Sequence, residues 1–292
     1  MFGIVILNYL NYADTVELLN SISFQNWSKL VKVYVIDNGS PNESQKYLRI
    51  ETSKSNLEIT YIQLEKNLGF AKGENVGINR ARSDGCDFVI SINNDVIIPK
   101  NQTEILSIFQ KVYSRNQCAI ITPVIKSSKG ENQNPLELLP PTTLKIILLK
   151  LFFLLRLNWL YYFIRVHLLF DLISNYVDSR DNKRLAVEKK KQPLDSGYIY
   201  AAHGSFQVFT PIFFEFFDGH DEQVFLYYEE YIKAEQLRQK NLKIWFENSI
   251  QVVHKTSKSV EMLTQSKKKK IKFLLLTGFN SYKIYVKTLN IF

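Results

Sequence analysis

The alternation of short apolar runs with helix-like segments in the first half of the chain most constrains its fold. We predict strands at residues 2–7, 31–36, 58–64, 88–92 and 119–123. Helical spacing of apolar residues predicts helices between them, at 13–23, 43–53, 71–83 and 102–114. Strands that alternate with helices of roughly 10–15 residues indicate βαβ units. The sequence therefore predicts an α/β fold with a mostly parallel central sheet flanked by helices.

Polar residues follow four of the predicted strands. These tips are Asn8, Asp37-Asn38, Asn67 and Asn93-Asn94-Asp95. Each tip alone is typical of a turn, because short Asn and Asp clusters are usually turns. Ligands of open α/β sheets, however, bind outside the carboxyl ends of the strands. Four tips at equivalent places therefore predict one ligand crevice along that edge.

Asp95 is the only acid of its tip, and it comes directly after an apolar strand. A carboxylate there could hold a hard divalent cation, which prefers oxygen ligands and often keeps phosphate oxygens in its shell. His254 follows the apolar run 250–253 and could complete such a shell, since imidazole binds Mn²⁺. A lone histidine at a strand end is more often structural, and that alternative stays open.

Glu229 and Glu230 open a predicted helix at residues 228–240. Acids in a first turn favour the helix dipole, which is a purely structural explanation. A carboxylate in a cleft could instead act as a general base. Adjacent helical residues point roughly 100° apart, so at most one of the pair should face a cleft.

The basic balance of the chain suggests an anionic partner. The 292 residues carry a formal net charge of +9, which would suit a nucleotide, a nucleic acid or an anionic membrane. Nucleic acid is disfavoured, because the basic residues cluster near apolar segments and not with an aromatic RNA-type signature.

Cys86 and Cys118 lack metal-type spacing, which predicts a reducing cytosol. The first residues indicate a strand and not a signal peptide.

Two segments combine apolar and basic residues. Residues 144–170 are rich in Leu, Ile and aromatic residues, interrupted by Lys145, Lys150, Arg156 and Arg165. Their uncharged runs fall short of the roughly 18–20 residues that a spanning helix needs. They suit a helix in a membrane interface, or core helices with snorkelling cations. Lys267–Lys270 and the apolar residues after them repeat the pattern, and together the segments favour an anionic membrane surface.

We therefore expect one domain over residues 1–262 and a basic, apolar helical tail over 263–292. Within the domain, residues 140–192 form a predicted amphipathic helical insertion that ends in a polar loop at 175–192.

An ordered set of motifs gives the sequence a family resemblance over roughly residues 1–260. The motifs are Ile4-Val5-Ile6-Leu7-Asn8-Tyr9, Val35-Ile36-Asp37-Asn38-Gly39-Ser40, Glu65-Lys66-Asn67-Leu68-Gly69-Phe70-Ala71-Lys72-Gly73-Glu74-Asn75-Val76-Gly77, Ile92-Asn93-Asn94-Asp95-Val96, Gly204-Ser205-Phe206, Phe217-Asp218-Gly219-His220-Asp221-Glu222, Tyr228-Glu229-Glu230 and Val253-His254-Lys255. Each motif alone is weak, but their order is specific. The chain resembles family 2 glycosyltransferases with the GT-A fold, in their bacterial rhamnosyltransferase-like branch.

The resemblance implies a role for each matching residue. The nucleotide-sugar would be bound by Asn8, Asp37, Asn38, Asn67, Gly73, Asn75, Asn93 and Asn94. Asp95 and His254 would hold Mg²⁺ or Mn²⁺, and Glu230 would be the catalytic base. Gly204, Ser205 and Glu229 would lie on the acceptor side.

The sequence departs from the family pattern at three places. Asn93 replaces the first acid of the Asp-X-Asp motif, and Glu230 replaces an Asp. Asp218-Gly219-His220 stands where the family has Gly-Gly-Phe.

The resemblance implies an inverting transferase that uses a UDP- or dTDP-sugar. Its acceptor would be a glycan or a polyprenyl-diphosphate-linked glycan of a bacterial surface polysaccharide. The enzyme would be cytoplasmic and peripheral on the inner face of the cytoplasmic membrane. The departures leave an alternative, a GT-A protein that binds nucleotide-sugars and has lost catalysis.

Overall fold

A computed structural model describes residues 1–290 except 26, 28–30, 101, 103, 156, 158–159, 161–193 and 256–266, and it describes no side chains for 267–275. The strands are β1 (Phe2–Asn8), β2 (Val31–Asp37), β3 (Ile59–Gln63), β4 (Phe88–Asn93), β5 (Val96–Ile97), β6 (Ile120–Ser127), β7 (Gly197–Ile199), β8 (Phe206–Phe209) and β9 (Ile244–His254). The α-helices are α1 (Tyr12–Ser23), α2 (Ser44–Lys54), α3 (Phe70–Ser83), α4 (Ile105–Asn116), α5 (Thr143–Leu154), α6 (Glu229–Gln239) and α7 (Lys267–Thr288).

The described strands form one sheet in the order β3-β2-β1-β4-β8-β6-β9-β5, with β7 paired to β9. The strands β3, β2, β1 and β4 run parallel, so their carboxyl ends lie at one edge. β8 runs antiparallel between β4 and β6, whereas β6 and β9 form a long parallel ladder. The predicted α/β fold with a mostly parallel sheet flanked by helices is confirmed.

The core lies on both faces of the sheet. Ile4 and Ile6 of β1 face one cluster with α1 and α4, and Val5 faces the other with α3 and α6. Because both faces are covered, β1 is apolar throughout and does not alternate with polar residues. Helix α3 packs closely on the sheet because Gly77 lacks a side chain. A Cβ on Gly77 would lie 2.5 Å from Val5 Cγ1.

A third apolar cluster joins α5, α6 and α7. Its buried members are Ile146, Val224, Ile232, Tyr285, Val286 and Leu289. Within the predicted basic tail, residues 267–288 form the single helix α7, whose second half packs on α6. Within the described residues, no helix combines the length and apolarity needed to cross a membrane. Of the predicted insertion, Arg156, Arg165 and the loop 175–192 lie outside the described residues.

We expect Gly77→Ala to destabilise the protein. The gain in helix propensity is about 1 kcal/mol, but the overpacked contact with Val5 should cost ~1–3 kcal/mol. Gly278→Ala in α7 is the matched control, because a Cβ there meets nothing within 4 Å. Urea unfolding should show a loss for the first variant and none for the second. Equal effects would contradict the close packing of α3.

Candidate active site

The polar strand tips meet at the carboxyl edge of the sheet. Asn8 and Asp37 are register partners, and Asn8 Nδ2 lies 3.4 Å from Asp37 Oδ1. Asn8 Oδ1 accepts a hydrogen bond from Thr15 Oγ1 at 2.9 Å. Asn94 Nδ2 donates to the same Thr15 hydroxyl at 3.1 Å. One bonded network therefore joins the ends of β1, β2 and β4.

Asn38 holds the loop before α3. Its Nδ2 donates to Asn67 Oδ1 at 3.1 Å and to the Gly69 carbonyl at 3.0 Å. Its Oδ1 accepts from the Leu68 backbone N–H at 2.9 Å. A Cβ on Gly73 would lie 3.1 Å from Asn38 Nδ2, so the glycine leaves room for this amide. In this structure Asn38 shapes the crevice, and its predicted contact with a donor stays a prediction.

Asp95 and His254 form a buried pair. Asp95 Oδ1 lies 3.2 Å from His254 Nε2, and β5 pairs with β9 to bring the two residues together. His254 Nδ1 lies 2.8 Å from Gln133 Oε1, so Nδ1 carries the proton and Nε2 faces the carboxylate. Asp95 Oδ2 is buried without a hydrogen-bond partner among the described residues.

A divalent cation fits this pair, because carboxylate and imidazole would both point lone pairs at it. Over the described part of the chain, no group of three or more His, Cys, Asp or Glu is arranged to hold a metal. Further ligands would have to come from water or from a bound diphosphate. Asn93, which is neutral and partly exposed, adds no charge here.

His203 is a neighbour that sequence reasoning missed. Its ring centroid lies 5.3 Å from that of His254, and its Nδ1 lies 2.9 Å from Ser205 Oγ. Burial lowers the pKa of His203 to about 4, so the ring is neutral. Ser205 itself is fully buried, and its predicted place on the acceptor side stays a prediction. The signal available in the sequence was the position of His203 directly before Gly204.

Gly204 brings Glu230 into the site. The Gly204 backbone N–H donates to Glu230 Oε1 at 3.2 Å. A Cβ at Gly204 would lie 2.7 Å from that oxygen, so a larger residue there would displace the carboxylate from its present position. Glu230 stays partly exposed, whereas Glu229 is buried. The two side chains thus separate as helix geometry predicts.

The two carboxyl groups interact strongly. Burial raises the pKa of Glu230. Burial, and then the charge of Glu230, raises the pKa of Glu229 to about 8. Glu229 therefore holds its proton near neutral pH, and a proton shared by such a pair belongs to both. Glu230, at the open side, is the member that can exchange a proton with a bound molecule.

A buried polar cluster behind this pair was also missed. Lys233 Nζ donates to Gln207 Oε1 at 3.0 Å and lies 2.9 Å from His220 Nδ1. Glu74 on α3 is fully buried, and neither carboxyl oxygen has a hydrogen-bond partner among the described residues. Burial raises the pKa of Glu74 to about 8. Charged residues on a helix usually indicate a solvent-exposed face, so the sequence pattern does not predict this buried cluster.

Asn75 docks a loop in this structure, and its predicted contact with the donor stays a prediction. Its Nδ2 donates to the His220 carbonyl at 2.9 Å and to Glu222 Oε1 at 3.0 Å. Its Oδ1 accepts the His220 backbone N–H at 2.8 Å. The loop 217–222 is thereby fixed between α3 and α6.

This sheet edge, with polar strand tips, a carboxylate–imidazole pair and an opposing carboxylate, defines a class of α/β protein suited to diphosphate ligands. A family model described as Glycosyl transferase family 2 matches residues 3–178. That match spans more than half of the chain, and the protein belongs to this family. A search of curated proteins gave no significant match. The rhamnosyltransferase-like branch stays a prediction.

Solved structures support the GT-A fold. S. aureus TarS 1-349 in complex with UDP has a TM-score of 0.55 and 14% identity, covering 88% of this chain and 61% of that one. GalNAc-T7 with UDP, GalNAc and Mn²⁺ has a TM-score of 0.56 and 13% identity, covering 88% and 43%. The mannosyltransferase PcManGT from Pyrobaculum calidifontis, with GDP-Man and Mn²⁺, has a TM-score of 0.55 and 12% identity, covering 98% and 72%.

The chain therefore spans less than two thirds of that TarS chain. At these identities the likeness shows the fold and not the substrate.

We expect Glu74→Gln to flatten the pH dependence of stability. The folded state keeps a proton on Glu74 from about pH 4.5 to about 8, so the contribution of Glu74 to stability falls as pH rises through that range. At pH 8 the variant removes a destabilising contribution to the free energy of unfolding on the order of 2–4 kcal/mol. Urea unfolding between pH 4.5 and 7 avoids the opposite slope of Lys233, whose pKa is lowered to about 7. Exposed Glu43→Gln should leave the slope unchanged. The same slope in Glu74→Gln as in wild type would contradict the assignment.

Proposed function

We propose that the protein is an inverting glycosyltransferase with Glu230 as its catalytic base. One observation supports this most: residues 203–205 connect the two halves of the site. His203 lies beside His254, and Gly204 donates to Glu230. The Ser205 carbonyl accepts the backbone N–H of Asn93 at 2.9 Å. The base and the carboxylate–imidazole pair are therefore built on one short segment, as a single reaction centre requires.

In the proposed reaction, the Glu230 carboxylate takes the proton of an acceptor hydroxyl. The hydroxyl oxygen forms a bond to the anomeric carbon while the bond from that carbon to the donor diphosphate breaks. A single displacement of this kind inverts the anomeric configuration. Asp95 and His254 would hold Mg²⁺ or Mn²⁺, which when bound supplies Lewis-acid stabilisation of the leaving diphosphate. Asn8, Asp37, Asn38, Asn67 and the start of α3 would enclose the nucleotide and sugar.

We propose a UDP- or dTDP-sugar as donor and a glycan or polyprenyl-diphosphate-linked glycan as acceptor. The hexosyltransferase class is supported by analogy with the related structures, which were solved with UDP, GalNAc or GDP-Man. A nucleotide-sugar-binding protein without turnover is the second candidate, since Asn93 and Glu230 depart from the family pattern.

We expect Glu230→Gln to lose turnover by about 10²–10⁴-fold, because the amide cannot accept the acceptor proton. Donor binding should persist, since Glu230 stands on the acceptor side. Thermal shift with a panel of nucleotide-sugars, with and without Mn²⁺, gives donor binding and its metal dependence. Product formation with the donor so identified gives turnover. Donor binding by the wild-type protein without turnover across a broad acceptor panel would favour the second candidate.

We also propose that α5 and α7 attach the protein to an anionic membrane surface at the inner face of the cytoplasmic membrane. Helix α5 and the residue after it present an exposed apolar face. The side chains of this face are between 45% and 79% exposed: Leu144, Ile147, Leu148, Leu151, Leu154 and Leu155. Residues 138–170 and 262–292 contain no Asp or Glu, and both ranges carry basic residues. Exposed leucines beside uncompensated lysines match the chemistry of an anionic lipid interface.

We expect the double variant Leu148→Glu/Leu151→Glu to lose binding to vesicles that contain phosphatidylglycerol. The carboxylates would enter the acyl boundary and repel anionic headgroups. Ile50→Glu is the matched control, because Ile50 is 41% exposed on the distant helix α2. Co-sedimentation with anionic and with phosphatidylcholine-only vesicles measures the difference. Equal binding of the two variants would contradict the role of α5.

A further inference from the structure

Lys233 occupies a position where a cation is unusual. It lies one turn beyond Glu229 and Glu230 on α6 and is only 5% exposed. Its Nζ has two hydrogen-bond partners, the Gln207 amide oxygen and the His220 ring. It also lies 4.2 Å from the centroid of the Phe209 ring. All three partners are neutral, so none of them compensates the charge.

Burial lowers the pKa of Lys233 to about 7, and three acids oppose that shift at longer range. Glu230, Glu74 and Glu229 each favour the charged form of Lys233, in that order of strength. Among the described residues, none of these carboxylates forms a direct ion pair with it. Charges interact more strongly in a buried site than in water, so contact is not needed for a large effect. Without these acids, burial would favour the neutral amine of Lys233 over its ammonium form more strongly.

The surroundings of Lys233 are held firmly. Gln207 lies on β8, and its Nε2 donates to the Ala202 carbonyl at 3.3 Å and to the His203 carbonyl at 3.4 Å, which orients Oε1 toward the lysine. His220 is fixed through its backbone by Asn75 of α3. The histidine stands at the position where the family pattern has Phe, and here its Nδ1 bonds to the lysine. Lys233 is thus held between Gln207 and His220, one helical turn from the acidic pair.

We propose that Lys233 is a positioning residue for the reaction proposed above, and that its buried cation favours the ionised form of Glu230, the form that accepts a proton. The inference rests on the proposed function for its catalytic meaning, but the electrostatic effect on the pair does not depend on turnover. The titratable groups that face this cation are Glu74 from α3, His220 from the loop 217–222, and Glu229 and Glu230 from α6. Tyr227 borders Glu229 on its other side.

The direction of the effect follows from the charges. Burial raises the pKa of Glu230, and the backbone N–H groups of Glu230 and Gly204, followed by the charge of Lys233, oppose that rise. Without the cation, the pair should ionise only at higher pH. The base would then be protonated near neutrality, and turnover would fall there while it recovers in alkaline buffer.

The main test compares the pH profiles of kcat for the wild type, Lys233→Met and Lys233→Arg. In Lys233→Met we expect the acid limb of the kcat profile to move to higher pH by about one unit. The loss of kcat should be about tenfold near pH 6.5 and should become smaller by pH 9. Lys233→Arg keeps the charge and should keep the position of the limb. Lys240→Met, at the exposed end of the same helix, should match the wild type. A loss of the same factor at every pH would overturn the proposal and leave a purely structural lysine.

A second readout separates this inference from the proposed function. Carboxyl ¹³C NMR of glutamate-labelled protein, assigned through Glu230→Gln, follows the titration of the acidic pair without any substrate. The pair should titrate at higher pH in Lys233→Met than in the wild type. An unchanged titration would overturn the proposal even if the enzyme is active. A shifted titration in a protein without turnover would support the electrostatic effect of Lys233 on the acidic pair and contradict the transferase activity proposed above.

Lys233 and Glu74 are buried together, and Lys233→Met alone could fail to fold. The double variant Lys233→Met/Glu74→Gln replaces both buried ionisable groups with neutral side chains. Its acidic pair should titrate as high as in Lys233→Met. Titration at the wild-type position in the double variant would overturn the proposal.

Discussion

The parallel pairing of β1 with both β2 and β4 is the constraint on which the rest of the structure depends. It places Asn8 beside Asp37 and aligns Leu7 with Asn93, so the polar tips reach one edge together. A shift of one residue would turn these side chains into the opposite face. The buried, continuous apolar strands fix that register. The candidate site is therefore a direct consequence of how the core packs.

The second half of the chain adds what the parallel strands cannot supply. β8 runs antiparallel beside β4, so the residues before it return to the same carboxyl edge. This brings His203 next to His254 and Gly204 next to Glu230. β9 ends at the same edge and presents His254 to Asp95. Groups from the two halves of the chain thus meet across β4 and β8.

Sequence reasoning recovered β1 to β4 because each is an apolar run between helices of clear periodicity. It missed β8, whose four residues include Gln207, and it missed the short strands β5 and β7. It predicted only residues 250–253 of β9, because Glu247 and Asn248 interrupt the apolar pattern. The Glu74–Lys233 cluster was beyond reach for another reason. Its members lie on separate elements, and only tertiary packing turns charged helix residues inward.

The three departures from the family pattern are easier to understand together than singly. Glu230 is one methylene longer than Asp, and the missing Cβ of Gly204 leaves space for its oxygen. His220 in place of Phe provides an acceptor for the buried ammonium of Lys233. Asn93 removes one negative charge from this edge of the sheet, where Asp95 still supplies one. Glu230 and His220 thus each meet a group in the structure that fits them, Gly204 in one case and Lys233 in the other. For this reason we propose an active transferase rather than a protein that has lost catalysis.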